Sequence, residues 1–348
     1  MNDEGSDDEE NDSSPGGQVS DEGSDEEKTE SSPDEQGSTE LDTFLLRVAG
    51  AHDSPGAEPM RAVTKGTVVD DRYRILGRLG EGGMGSVFAA ERTDGSGAVA
   101  LKLIRARLGA DTEMQTRFSR EALSVLQMSH RHIVRALDSG VWDDRPYLVM
   151  ELLEGETLRQ RLRRAKGPLP PPLALDLFRG IIDAVSYAHG QGVVHRDLKP
   201  ENVFLTGKDD RAHPFVLDFG LAKVPGTAAL TMSGVSFGTP LYMAPEQLRE
   251  ARSAGPASDQ YSLGVMLFEA LAGDLPFPQR VLLRLAEAKE HPPPLPDDVG
   301  SVVGEPVAAA LHRAMMPLPQ DRHASLGDLY AALYGEPAPS DRLPRARP

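Results

Sequence analysis

Two hydrophobic rhythms divide this chain, and each demands a different backbone. In YRILGRLGEGGMGSVFAAERTDGSGAVALKLI, from Tyr73 to Ile104, apolar and β-branched runs are separated by glycine clusters, which predicts three antiparallel strands. RPYLVMELLEG, from Arg145 to Gly155, reads as a further strand running into a connector. Between them, EMQTRFSREALSVLQMS (residues 113–129) has a helical pattern. Beyond them, LALDLFRGIIDAVSYAHGQG (173–192), SDQYSLGVMLFEALAG (258–273) and EPVAAALHRAMM (305–316) bring apolar residues back every three or four positions. The expectation is an α+β chain with a small strand-rich part first and a larger helical part after it. No internal repeat is visible.

Charge is distributed just as unevenly. Of the formal net charge of -17, residues 1–42 carry -16, with 17 Asp/Glu against Lys28 alone, so the rest of the chain is nearly neutral. That balance gives no support for nucleic-acid binding by the body of the protein, and no nucleic-acid partner is expected. The first forty residues are Ser, Gly, Asp and Glu with almost no apolar side chain, too few to offset the entropy of ordering. Residues 1–66 are therefore read as a disordered acidic tail and linker, with LDTFLLRVAGA (41–51) as a short amphipathic helical turn inside it. The expected role of the acidic tail is solvating or partner-binding, with self-inhibition as the alternative.

The chain has no cysteine, which excludes disulfides, cysteine nucleophiles and thiolate metal sites. It has no run of about 18 apolar residues and no basic start before an apolar segment, so neither a membrane span nor a signal peptide is expected. The expected location is cytoplasmic. An apolar fraction of 39% is enough for a substantial core.

Chemistry concentrates in VVHRDLKPENVFL, Val193 to Leu205. Asp197, Lys199 and Asn202 fall within six residues, between apolar runs that pull both ends of the loop into the core. A loop anchored in this way is rigid, which keeps three polar groups aimed at one point. Upstream, LGEGGMGSV places Gly80, Gly82 and Gly85 in the order G-x-G-x-x-G-x-V. Without side chains in the way, backbone amides can approach phosphates closely. Alone, these glycines fit a tight hairpin as well. The strand that follows, Val87 to Glu91, argues against the dinucleotide fingerprint, which opens a helix. In the next strand, VALK ends in Lys102, and the helical RFSREALSVL carries Glu121. A lysine on a buried strand needs a partner, and a glutamate in the cleft supplies one while leaving the ammonium able to touch phosphate oxygens.

Together with LDFG at Leu217 to Gly220 and APE at Ala244 to Glu246, these elements match the protein-kinase signature set in order and spacing. From about Tyr73 to Leu333 the chain resembles the bacterial serine/threonine protein kinases of eukaryotic (Hanks) type, GEGGMG and MAPEQL being particularly similar to that group. The resemblance implies a bilobal protein-kinase-like fold. Its N-lobe, a small antiparallel sheet plus one helix, would span residues 67–152. A larger, mostly helical C-lobe would span 153–335, with a disordered tail at 336–348.

It also implies roles. Asp197 would be the catalytic aspartate that orients the substrate hydroxyl and accepts its proton, and Lys199 would neutralise the transferring phosphate. Lys102 would hold ATP phosphates, paired with Glu121. Asn202 and Asp218 would hold Mg²⁺, with Mn²⁺ as a substitute, since such hard ions take oxygen ligands. Leu79, Gly80, Glu81, Gly82, Gly83, Met84, Gly85, Ser86 and Val87 would cover the nucleotide. Val87 and Ala100 would roof the adenine, Phe204 would floor it, Met150 would close its back, and backbone at Glu151 and Leu153 would make its hydrogen bonds. Lys199 and Thr239 match the serine/threonine branch, so protein substrates are expected, with a homodimer among the expectations for autophosphorylation.

Three further positions are structural by the same resemblance: His195 packs under Phe219, Glu246 pairs with Arg322, and Asp259 braces the catalytic loop. Arg196, directly before Asp197, accompanies control by phosphorylation of the activation segment, for which Thr231 and Ser233 are the expected acceptors. Two rival readings differ in testable ways. A pseudokinase, a binding module, would have lost Lys102, Asp197 or Asn202. A small-molecule phosphotransferase of kinase-like fold would lack the APE segment and its peptide platform.

Overall fold

The computed structural model describes residues 62–82, 85–104, 124–208, 211–219, 239–250, 253–277, 285 and 287–339. The acidic tail, the turn expected at 41–51, most of the helix expected at 113–129, and Thr231 and Ser233 lie outside these residues.

The strand-rich part is one six-stranded sheet in the order β1-β2-β3-β4-β6-β5. Its strands are β1 (Val68–Val69), β2 (Tyr73–Gly82), β3 (Gly85–Arg92), β4 (Ala98–Ile104), β5 (Ala136–Trp142) and β6 (Arg145–Glu151), and neighbouring strands are antiparallel throughout. Side chains alternate between the faces of a strand, so the register sorts the residues into two cores. In register, Val87 pairs with Lys102 and Ala100 with Met150. Ala100, Ile104, Leu148 and Met150, with Val87 against them, join the large apolar cluster that continues into the helices. The alternate residues Val99, Leu101, Leu103, Tyr147 and Val149 face the other way, packing with Tyr73, Ile75 and Phe88.

A second, three-stranded sheet, β7 (Gly155–Thr157), β8 (Val203–Thr206) and β9 (His213–Val216), carries the chain to and from the polar loop. Its strands are only three or four residues long, too short for an alternation to show in the sequence.

The helical part contains α1 (Leu158–Ala165), α2 (Pro171–Gly190), α3 (Pro245–Arg249), α4 (Pro256–Ala272), α5 (Asp297–Val303), α6 (Glu305–Ala314) and α7 (Leu326–Tyr334). Local chemistry sets several ends. Thr157 and Gln160 form a reciprocal capping box that starts α1. Proline opens α2, α3 and α4, where an amide donor would have no partner in the helix. Gly273 closes α4 at φ 81°, and a Cβ there would sit 2.7 Å from Pro168 N.

The 258–273 pattern suggested a helix with one buried face, whereas α4 is buried all round: every residue from Ser258 to Leu271 is inaccessible. Its Ser, Asp, Gln and Glu side chains are tolerated because they are bonded to other elements, whereas the buried Tyr261 hydroxyl has no hydrogen-bond partner among the described residues. Asp259 reaches the loop at His195, Gln260 the backbone of His323, Ser262 the carbonyl of Tyr242, and Glu269 the side chains of Arg159 and Tyr242. Among the described residues, no helix is long and apolar enough to cross a membrane.

Candidate active site

Two lysine–aspartate pairs stand at the junction of the sheet and the helical part. Lys102 on β4 is 5% exposed, and its Nζ lies 2.7 Å from Asp218 Oδ2. Asp218 follows β9, which is tied in from two sides: Val216 N–H donates to His132 O at 2.8 Å and Leu217 N–H to Asn202 O at 2.9 Å. Asp218 has φ 63°, a region few non-glycine residues enter without the fold over-determining them. Burial pushes its carboxyl upward, but Lys102, and then His195 and Lys199, outweigh that and hold it below the usual carboxylate value. Glu121, the partner expected for Lys102, lies outside the described residues.

The second pair is within the polar loop. Lys199 Nζ is 2.7 Å from Asp197 Oδ2, and Asn202 Nδ2 donates to Asp197 O at 2.7 Å and to Asp197 Oδ2 at 3.3 Å. Asn202 uses its amide nitrogen for both bonds, so its amide oxygen is turned away from Asp197. Below the loop, Asp197 N–H donates to His195 Nδ1 at 3.3 Å, which leaves Nε2 as the protonated nitrogen that donates to Leu217 O at 2.8 Å. The His195 ring packs edge-on against Phe219 with centroids 4.9 Å apart.

Asp259 holds this turn from α4. Its carboxylate accepts from His195 N–H and Arg196 N–H, both at 2.8 Å, and pairs with His189 Nε2 at 2.8 Å. Arg196 sits at φ 70°, and its carbonyl accepts from Gln247 Nε2 at 3.0 Å. Its Nε is buried without a hydrogen-bond partner among the described residues.

The glycine stretch is a β-hairpin. Gly80 pairs with Val87, Glu81 with Ser86 and Gly82 with Gly85, while Gly83 and Met84 lie outside the described residues. A Cβ at Gly85 would meet Leu103 O at 2.1 Å, so packing against β4 requires that glycine. A Cβ at Gly80 or Gly82 would meet nothing within 4 Å, so the chain's own packing does not explain those two. Leu79, beside them, is 56% exposed.

Ala100 and Met150 are cross-strand neighbours, and Glu151 pairs with Val99. Glu151 N–H donates to Arg135 O at 3.1 Å. Leu153, past the end of β6, makes no backbone hydrogen bond among the described residues. Phe204 lies half-buried on β8, opposite Phe215.

Two networks flank the loop. Arg322 is almost fully buried and makes a bidentate pair with Glu246, NH1 to Oε1 and NH2 to Oε2, both at 2.8 Å. Burial raises the Glu246 carboxyl, and the guanidinium reverses this, holding it below its ordinary value. The second network was not apparent in the sequence. Arg159 on α1 bonds Glu201 at 2.9 Å, Glu269 at 2.7 Å and the Tyr242 hydroxyl, which in turn donates to Glu269 at 2.6 Å. Arg159 and Glu269 are 110 positions apart, and no local pattern announces such a pair. Thr239 opens the short turn Thr239–Leu241 that leads into Tyr242.

This geometry has counterparts. A serine/threonine-protein kinase of Myxococcus xanthus, Pkn1, is 38% identical over 265 residues, which cover 75% of this chain and 38% of Pkn1. The serine/threonine-protein kinase PknL of Mycobacterium bovis is 38% identical over 210 residues, 60% of this chain and 51% of PknL. The chain thus spans about half the length, or less, of these curated relatives. The crystal structure of the Mycobacterium tuberculosis PknI kinase domain superposes with a TM-score of 0.61 at 26% identity, covering 79% of this chain and 99% of that one. The sequence profile of the protein kinase domain matches residues 73–292, the span that holds both lysine–aspartate pairs and the glycine hairpin, and the chain belongs to the protein kinase family.

Proposed function

We propose that the protein is a serine/threonine protein kinase that transfers the γ-phosphoryl group of ATP to Ser/Thr hydroxyls of proteins, its own activation segment included. The observation that carries this reading is the convergence of Lys102–Asp218 with Lys199–Asp197–Asn202 at one place. Phosphoryl transfer leaves a protein little covalent work: it must align a hydroxyl with the phosphorus and offset phosphate charge.

Asp197 is fixed by Lys199, Asn202 and His195, so its carboxylate can orient a hydroxyl and take its proton as the oxygen bonds to phosphorus and ADP leaves. Lys199, on the same carboxylate, is placed to offset charge on the transferring group. Lys102 is placed to hold phosphate oxygens, and Gly80 and Gly82, free of any packing reason to be glycine, leave backbone open to them. Val87, Ala100, Met150 and Phe204 supply apolar surface for a purine, and the Leu153 backbone, unpaired among the described residues, supplies hydrogen bonds.

The donor set suits Mg²⁺, with Mn²⁺ as a substitute. Asp218 retains its second carboxylate oxygen and Asn202 its amide oxygen, both hard ligands. A bound divalent ion supplies charge neutralisation of the phosphates. Autophosphorylation at Thr231 and Ser233 is supported by the unpartnered, buried Nε of Arg196, a donor suited to a phosphate of about -1.5 to -2 charge. Self-phosphorylation through a homodimer is part of the same reading.

The test is incubation of purified protein with Mg²⁺ and γ-labelled ATP, alone and with a generic basic protein. Label on serine and threonine is expected, and it is expected to be absent in Asp197→Asn. No label in either sample would refute the reading. In the Thr231→Ala/Ser233→Ala double variant, a clear loss of activity is expected.

A further inference from the structure

Lys289 is fully buried, and phosphoryl transfer has no use for it there. Its ammonium donates to the carbonyl of Leu241 at 2.9 Å. Its Nζ also faces two aromatic rings, 4.8 Å from the Tyr261 centroid and 5.0 Å from that of Phe277. A lysine buried in this way forfeits hydration, so its partners must compensate for a large cost. The bonded partner here is a backbone carbonyl rather than a carboxylate.

That carbonyl belongs to the turn Thr239–Leu241, which leads into residues bonded toward the catalytic loop. The next residue, Tyr242, bonds Arg159, and Arg159 bonds Glu201, four residues from Asp197. Gln247, a few residues further, bonds Arg196 beside Asp197. Through Arg159 and Gln247 the segment that begins with this turn is tied to the loop that carries Asp197, the group a substrate hydroxyl has to reach. Leu241 itself is half-buried, so only its backbone is anchored by the lysine.

We propose that Lys289 is a positioning residue for the protein substrate: its ammonium, facing Tyr261 and Phe277, holds the 239–242 backbone in the shape against which a substrate polypeptide is aligned. The inference rests on the kinase reading above. It differs from that reading in the step it controls, since Lys289 acts on polypeptide binding and leaves nucleotide binding untouched.

The surroundings make the tether responsive to protons. Burial, and behind it the Arg322 guanidinium, lower the Lys289 ammonium to about pKa 7, with Glu246 opposing. The groups facing it are Leu241 O from the turn, Tyr261 from α4, Phe277 after α4, Glu246 from α3, and Arg322, whose guanidinium lies 5.0 Å from the Tyr261 centroid. Below pH 7 the bond to Leu241 is charge-assisted; above it, the neutral amine is a weaker donor.

The experiment uses the full chain and measures KM for a phosphorylatable protein, KM for ATP, and ATP hydrolysis without protein substrate, from pH 6 to 8.5. In Lys289→Met, which keeps length and apolar contact but loses the donor, the protein-substrate KM is expected to rise about tenfold while the ATP terms stay constant. Lys289→Arg, which keeps a permanent charge, is expected to restore most of that KM and to remove its pH dependence. Wild type is expected to show its lowest protein-substrate KM below pH 7.

Unchanged protein-substrate KM in Lys289→Met, or equal losses against both substrates, would overturn the proposal. Should Lys289→Met melt too low to assay, the wild-type profile decides: a protein-substrate KM that is flat with pH overturns it. Absence of any ATP turnover by wild type would instead overturn the kinase reading.

Discussion

At Lys102, Asp197 and Asn202 the sequence and the structure concern the same few atoms, and the first prediction belongs there. Lys102 is nearly inaccessible and bonded to Asp218, and Asp197 is held by three neighbours, so each is a preorganised charge in a site that works by electrostatics. Lys102→Met and Asp197→Asn are expected to fold, as judged by circular dichroism, and to lose autophosphorylation by about 10²-fold or more. Near-normal labelling in either would remove that residue from the mechanism. These positions were legible because their chemistry is local: Asp197, Lys199 and Asn202 occupy six residues, and a rigid loop needs no distant partner to be recognised. Lys289 and Arg159 were not legible. A lysine between Ala288 and Glu290 and an arginine on an amphipathic helix look like surface residues until the fold supplies Leu241, Tyr261, Glu201 and Glu269.

Elements fail or hold by the polar groups they bury. Glu246 on α3 is the carboxylate partner of Arg322, whose other bonds run to the carbonyls of Met316, Ala257 and Pro317. Glu246→Ala would leave a guanidinium buried without its counter-charge, and is expected to cost roughly 3 to 5 kcal/mol, read as a lowered denaturation midpoint. A midpoint equal to wild type would show that the pair contributes nothing net. A second element-level device joins β9 to α2. His132 bonds Pro214 O at 2.9 Å and lies so close to α2 that a Cβ on Gly180 would meet its ring at 2.7 Å. Burial, more than its other surroundings, lowers His132 to about pKa 4, below the value of about 6.5 for the unfolded chain. Above that value it is neutral in both states. Between the two values only the unfolded chain takes up the proton, so stability is lost as pH falls from about 6.5 toward 4. The melting temperature of wild type is expected to fall more steeply across this window than that of His132→Gln, and parallel curves would contradict it. The long helices were legible from their periodicity, whereas the complete burial of α4 was not, since Gln260, Ser262 and Glu269 advertise a wet face until their partners on other elements are known.

Across the whole molecule, what matters is that the sheet and the helices share one apolar core. Ala100, Ile104, Leu148 and Met150 from the sheet belong to the same cluster as Ile181, Leu198, Val216 and Phe219, and the backbone bonds Val134 to Val216 and Val216 to His132 cross the same junction. The two parts are therefore expected to unfold together, in a single transition, although the alternate face of the sheet has its own cluster around Tyr147 and Leu101. A nucleotide bound at the paired Lys102 on β4 and Asp218 after β9 would stabilise both parts at once, because it binds the folded chain and not the unfolded one. At 100 times its dissociation constant, Mg-ATP is expected to add about 2.7 kcal/mol, seen as an upward shift of one melting transition. Lys102→Met is expected to lose most of that shift and, without nucleotide, to melt below wild type, since it leaves the buried Asp218 carboxyl without the ammonium that holds it ionised. Scanning calorimetry decides the matter: two separate transitions, of which only the lower responds to Mg-ATP, would show that the sheet and the helices are energetically independent and that the shared core does not couple them.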